Sequence, residues 1–112
     1  MPHDRDIQQF KDIIRANPAD ASSYFYLSTL YTQLNEYPVA ERYLKRAMEL
    51  NPKQGTNYYQ LGLIRYRQKQ WVAALDSFKQ ALELGSGNND ARVWRSIGDV
   101  QLELFEIGRA HV

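Results

Sequence analysis

Cysteine is absent from all 112 residues. That excludes a disulfide framework, a thiol nucleophile and any cysteine-based zinc or iron–sulfur centre, and it leaves the redox compartment open. No apolar run approaches the roughly 20 residues that a membrane helix needs. The start, MPHDRDIQQF, lacks the basic opening and apolar core of a secretion signal; cytoplasmic residence is the default expectation. Neither sign of charge prevails. Lys and Arg number 14 against 13 Asp and Glu, a net of +1 that favours neither nucleic acid nor a membrane surface. Histidine is limited to His3 and His111, with no third ligand close by, so no metal site is expected. A glycine-rich phosphate loop is missing too: Gly85-Ser86-Gly87 follows a helical pattern rather than a strand and reads as a linker. The acid pairs Asp4/Asp6 and Glu36/Glu41 read as solvated faces. The expectation is a protein that is not an enzyme and carries no cofactor.

What the chain has instead is repetition. Asn17-Pro18 returns as Asn51-Pro52, 34 residues later (51 − 17). The same shift lays Tyr24 on Tyr58, Leu27 on Leu61, Ser28 on Gly62, Ala40 on Ala74, Leu44 on Phe78 and Ala47 on Ala81. A step of 36 (94 − 58) carries Tyr58-x-x-Leu61-Gly62 onto Trp94-x-x-Ile97-Gly98. Upstream, Phe10, Ile14 and Pro18 match Leu44, Met48 and Pro52. A period of this length marks stacked supersecondary units. Residues 1–20 are assigned to the second helix of a partial unit, 21–54 and 55–88 to two full units, and 89–105 to the first helix of another.

Within a unit the apolar spacing is helical. Tyr24, Leu27, Tyr31 and Leu34 form one stripe, and Ala40, Tyr43, Leu44, Ala47 and Met48 form a second. Asn35-Glu36 separates them, with Pro38 suited to the first turn of a new helix. Strand alternation and hairpin signals are missing, so the fold class is all-α. Gly62 sits in mid-helix, where glycine costs about 1 kcal/mol relative to alanine. Its counterparts Ser28 and Gly98 are also small, as are Ala40, Ala74, Ala47 and Ala81. Small residues recurring on facing stripes let two backbones approach, while Tyr24, Tyr58, Trp94 and Phe78 fill the space beside them. Burial worth roughly 1.5–3 kcal/mol for each large side chain offsets the glycine penalty.

These residues resemble the tetratricopeptide-repeat family, whose pattern appears as Tyr24, Leu27-Ser28, Tyr31, Ala40, Leu44, Ala47 and Pro52, then Tyr58, Leu61-Gly62, Ala74, Phe78 and Ala81. The match runs from Phe10 to about Phe105. Two departures stand out: Arg65 occupies the place of Tyr31, and Ser86 replaces the closing proline, loosening the junction through Asn89. The RNA-reading pentatricopeptide family has a period of 35 and fits less well. The resemblance implies a right-handed α-solenoid of antiparallel helix pairs whose first helices line a concave groove for a peptide or helix. Carried over, the groove residues are Phe25, Thr29, Tyr59, Gln60, Leu63, Tyr66, Arg67, Arg92, Arg95 and Asp99. Part of the tyrosine surplus, eight against four Phe and two Trp, is assigned to this groove. The competing reading packs Tyr66 among the helices in place of the residue lost at Arg65.

The resemblance also allows one ligand to be excluded. The family's carboxylate clamp for chaperone tails uses Lys and Asn on one helix, Asn on the next, then Lys and Arg; this chain has Phe25 and Thr29, Gln60, then Asp99 and Glu103, and the two acids would repel a carboxylate. The function expected is a protein-interaction scaffold. One alternative is an RNA-binding strip formed by Arg65, Arg67, Lys69, Arg92 and Arg95; another is a purely architectural spacer. Apolar residues are expected unpartnered at both ends: Ile7, Phe10, Ile13 and Ile14, then Trp94, Ile97, Leu102, Leu104 and Phe105. They lead to the expectation of a longer array and of self-association by the isolated chain. The tail Glu106–Val112 can be encoded by gagatcggaagagcacacgtc, resembling the opening of a common sequencing-library adapter, so residues 106–112 are expected to be non-native. The alternative there is a short second helix with Ala110 aligned to Ala74.

Overall fold

Turn chemistry sets the architecture. In the computed structural model, which describes residues 3–86 and 89–110, Asn35 and Lys69 both take the left-handed conformation, at φ 61° and 62°. They stand 34 residues apart (69 − 35). Around the first, the Glu36 N–H donates to the Tyr31 carbonyl at 2.9 Å and the Asn35 N–H to Thr32 at 3.0 Å. Around the second, the Gln70 N–H donates to Arg65 at 2.9 Å and the Lys69 N–H to Tyr66 at 3.0 Å. Both are Schellman closures, which satisfy the last carbonyls of one helix and reverse the chain into the next. Asparagine tolerates that conformation well. Lysine does not favour it, so the second turn carried no signal in the sequence.

Six helices result among the described residues: α1 (Asp4–Ala16), α2 (Ala21–Gln33), α3 (Tyr37–Leu50), α4 (Gly55–Arg67), α5 (Trp71–Leu84) and α6 (Asp90–Ala110). Asp20 caps α2 by accepting from the Ser23 N–H at 3.4 Å, and Pro38 lies in the first turn of α3. The helices fall into two compact parts, the first through Lys53 and the second from Gln54.

In the first part α2 packs on both α1 and α3. Ile7, Leu27, Ala40, Leu44 and Ala47 are its buried apolar residues. Ser28 is buried with them, and its hydroxyl finds no hydrogen-bond partner. Phe10 and Ile14 are half-buried, while Ile13 is exposed. Of the residues expected unpartnered at this end, then, Ile7 is covered.

In the second part α5 lies between α4 and α6. Ala74, Phe78, Ala81, Val93, Ile97 and Val100 are buried together, with Leu63, Tyr66, Trp71 and Leu104 packed against them. Gly62 has the role expected of it: a Cβ there would stand 2.5 Å from two atoms of the Phe78 ring. Gly98 does not. A Cβ at Gly98 would meet nothing within 4 Å, and its neighbour Trp94 is 62% exposed. The expectation that Trp94 fills space beside a small residue is corrected. The stripe of α6 that meets α5 is Val93, Ile97 and Val100, whereas Trp94 and Gly98 sit on the other face.

The junction before α6 also differs from expectation. Ser86 is buried, and both its hydroxyl and its N–H donate to the Asp90 carboxylate, which pins the start of the helix instead of loosening it. Gly87 and Asn88 of the linker, and His111 and Val112 of the tail, lie outside the described residues. Among the described residues α6 runs unbroken past Phe105 to Ala110.

Candidate functional site

The ten residues expected in one groove divide between the two parts. Phe25 and Thr29 belong to α2. Phe25 is half-buried with its ring edge-on to the exposed Tyr26 at 5.7 Å, and the Thr29 hydroxyl donates to the Phe25 carbonyl at 3.1 Å. The other eight lie on α4 and α6 of the second part.

On α4, Tyr59, Leu63 and Tyr66 are half-buried. Tyr59 leans on Phe78 with ring centres 5.8 Å apart, and Tyr66 stands edge-on to Trp71 at 5.2 Å. Each therefore combines a packed side with a solvent-facing one. Gln60 is corrected: it is buried, 5% exposed, because its stripe of α4 turns inward, and its amide is not presented to a ligand. Arg67 is exposed. On α6, Arg92, Arg95 and Asp99 are exposed and Glu103 half so. The Tyr66 hydroxyl is held above the ordinary tyrosine range, first by burial and then by the negative charges of Glu103 and Asp99. Those two acids and Tyr66 thus share one face of the second part.

The basic strip is interrupted. Arg65 is half-buried and donates to the Ser77 hydroxyl at 2.8 Å and to the Ala73 carbonyl at 3.4 Å, while Ser77 itself donates to Ala73 at 3.1 Å. Its guanidinium ties α4 to α5. Arg65 is removed from the expected strip, leaving Arg67, Lys69, Arg92 and Arg95.

Several tyrosines pack within the first part, away from α4 and α6. Across α1, α2 and α3 a ladder is built: Lys11 sits 5.8 Å from the Tyr31 ring, Tyr31 stacks on Tyr43 at 5.6 Å and 9°, Tyr43 tilts against Tyr24 at 6.4 Å, and Arg46 lies 6.0 Å over Tyr24. The hydrogen bond from Lys11 to Tyr31 is the main reason its ammonium is held above the ordinary lysine value. Tyr26 stacks on Phe10 at 5.3 Å. Part of the tyrosine surplus thus belongs to this first part rather than to a groove. The signal was available: Tyr24 and Tyr31 fall on one stripe of α2, and Tyr43 recurs on the facing stripe of α3.

The comparisons agree with this architecture. Residues 7–54 and 28–91 match the sequence model of the tetratricopeptide repeat. The protein SGT1 homolog of Bos taurus is 27% identical over 88 residues, covering 79% of the chain and 26% of that relative. Among solved structures, YrrB, described as a tetratricopeptide protein with an unusual peptide-binding site, superposes with a TM-score of 0.77 at 29% identity, over 85% of the chain and 48% of YrrB. The first such domain of Spaghetti (RPAP3), bound to the HSP90 peptide SRMEEVD, superposes at 0.81 with 20% identity, over 92% and 80%. The chain spans about a quarter of the length of the curated relative.

Proposed function

The chain belongs to the tetratricopeptide-repeat family, an all-α class of paired helices, and from that premise we propose that it is a non-catalytic scaffold whose second part holds a peptide or helical segment along α4 and α6. The observation that carries this reading is the pairing of half-open aromatics with exposed charge of both signs. Tyr59, Leu63 and Tyr66 offer rigid apolar contact, while Arg67, Arg92, Arg95 and Asp99 offer directional polar contact. The peptide site of YrrB supports the ligand class. The acidic tail held by the RPAP3 domain is not carried over, because Asp99 and Glu103 beside Tyr66 oppose a carboxylate. RNA is disfavoured by the diversion of Arg65 and by the net charge of +1. Self-association through the exposed Trp94, Leu102 and Phe105 is a further part of the proposal.

A peptide library displayed on phage and selected on the full chain tests it. Enriched sequences should combine apolar residues with both charges. Replacing Arg92→Glu, Arg95→Glu and Asp99→Lys together should weaken them about tenfold without altering the fold. Affinity should change little between low and moderate salt. Failure to enrich any peptide, or tight oligouridylate binding that collapses over the same salt range, would overturn the reading.

A further inference from the structure

The first part holds a cleft of about 300 Å³ lined by Tyr24, Arg42, Tyr43 and Arg46. We propose that this cleft is a second site, specific for an anionic side chain of a protein partner: a carboxylate, or a phosphorylated residue. It uses different helices from the α4–α6 surface, so either proposal can fail alone.

Three observations converge on it. The first is geometric. Arg42 and Arg46 are four residues apart on α3 and so share one face, within reach of a single bridging anion. Arg42 is exposed and makes no hydrogen bond or ion pair among the described residues. Arg46 lies over the Tyr24 ring that walls the cleft, and its one ion pair, with Glu49 at 3.2 Å, is an exposed one of the kind that contributes little.

The second is that the aromatic walls are fixed before any ligand arrives. The Tyr24 hydroxyl donates to the Pro18 carbonyl at 3.0 Å, and Tyr43 is held from behind by Tyr31, with ring planes 9° apart. A ligand entering here meets oriented rings and orders little new, which favours affinity.

The third observation is internal. The positions 34 residues later are Tyr58, Asp76, Ser77 and Gln80. The second part builds the same paired helices with a tyrosine, an acid, a serine and an amide. Neither arginine nor the second tyrosine is therefore required by the fold at these places. The change from two cations to one anion (+2 against −1) marks the cleft as a feature of the first part alone.

The acidic neighbours Glu41 and Glu49 on α3 select among anions. They would oppose a continuous phosphate backbone while leaving room for one negative group between the arginines. That favours a peptide over RNA.

The test grafts the second part's own residues onto the first: Arg42→Asp with Arg46→Gln, substitutions that α5 already tolerates at the matching sites. Fluorescence anisotropy with the full chain would compare three capped peptides: one alternating glutamate and leucine, one with phosphoserine in place of glutamate, and one with glutamine. Oligouridylate would be the fourth probe. One or both acidic peptides should bind, and the glutamine peptide should not. The grafted protein should lose about tenfold or more in affinity with an unchanged melting curve. The stronger of the two acidic peptides identifies carboxylate or phosphate as the group recognised. The Lys79→Gln variant, which removes one exposed cation from α5, should retain binding. Equal binding by the grafted protein, no binding of either acidic peptide, or preference for oligouridylate would overturn the proposal.

Discussion

The two parts solve one packing problem by different chemistry. In the first, Tyr31 on α2 stacks on Tyr43 of α3; in the second, the residues at the matching positions, Arg65 and Ser77, meet through a 2.8 Å hydrogen bond. Backbone turns at both places are the same Schellman closure, with φ of 61° and 62°. What the repeat fixes is the turn and the close approach of helices. What it leaves free is the side-chain pair just beneath the turn, and there one part has become aromatic and the other polar.

The comparison is broken most sharply at the small residues. Gly62→Ala drives a methyl into the fully buried Phe78 ring and should cost about 1–3 kcal/mol. Ser28→Ala, at the equivalent place, removes a buried hydroxyl without a partner and should raise stability by about 1 kcal/mol. Gly98→Ala faces open space and should stabilise by up to about 1 kcal/mol through helix propensity alone. Thermal unfolding of the three variants checks all three signs at once.

Next in size is the exchange of the pairs. Arg65→Ala should lose about 1–2 kcal/mol, because Ser77 and Ala73 lose a charged donor. Arg65→Tyr with Ser77→Tyr should recover part of that loss by recreating the stack. A double-mutant cycle in chemical denaturant should give a favourable coupling of about 0.5–1.5 kcal/mol between the two tyrosines. Coupling near zero would show that the stack of the first part depends on Lys11 and Tyr24 as well.

The smallest effect is in proton binding. The Tyr66 hydroxyl is raised by burial first and then by Glu103 and Asp99. A raised folded value means the unfolded chain releases that proton earlier. The contribution to stability is therefore complete below the ordinary tyrosine range and is lost as pH rises through the folded value. In an absorbance titration of the phenolates, Tyr66→Phe should remove a late-titrating group. Asp99→Asn should lower its value without normalising it, since burial is the larger cause.

Much of the fold was legible because the period of the sequence and the period of the structure are the same. Gly62, Ala74 and Phe78 were found from spacing alone. The register of α6 was not legible. The repeat identifies which residues match Tyr58 and Gly62, but burial depends on which helices are present, and α6 meets its neighbours through Val93, Ile97 and Val100. Lys69 was hidden because lysine gives no indication of a left-handed backbone. Arg65 and Gln60 were read as surface because polar residues on a helix usually are; an arginine hydrogen-bonded to Ser77 and a buried amide show only in three dimensions. Tyr66 packs on Trp71, as the reading that placed it among the helices held, and it lies near the charges of Glu103 and Asp99.

The uneven placement of tryptophan has a practical consequence. Trp71 is half-buried in the second core, Trp94 stands in solvent on α6, and the residues through Lys53 contain neither. Indole emission is therefore silent about the first three helices, whose own optical signature is tyrosine. Melting curves recorded in the two channels would overlay if the halves lose structure together and would separate if one outlasts the other.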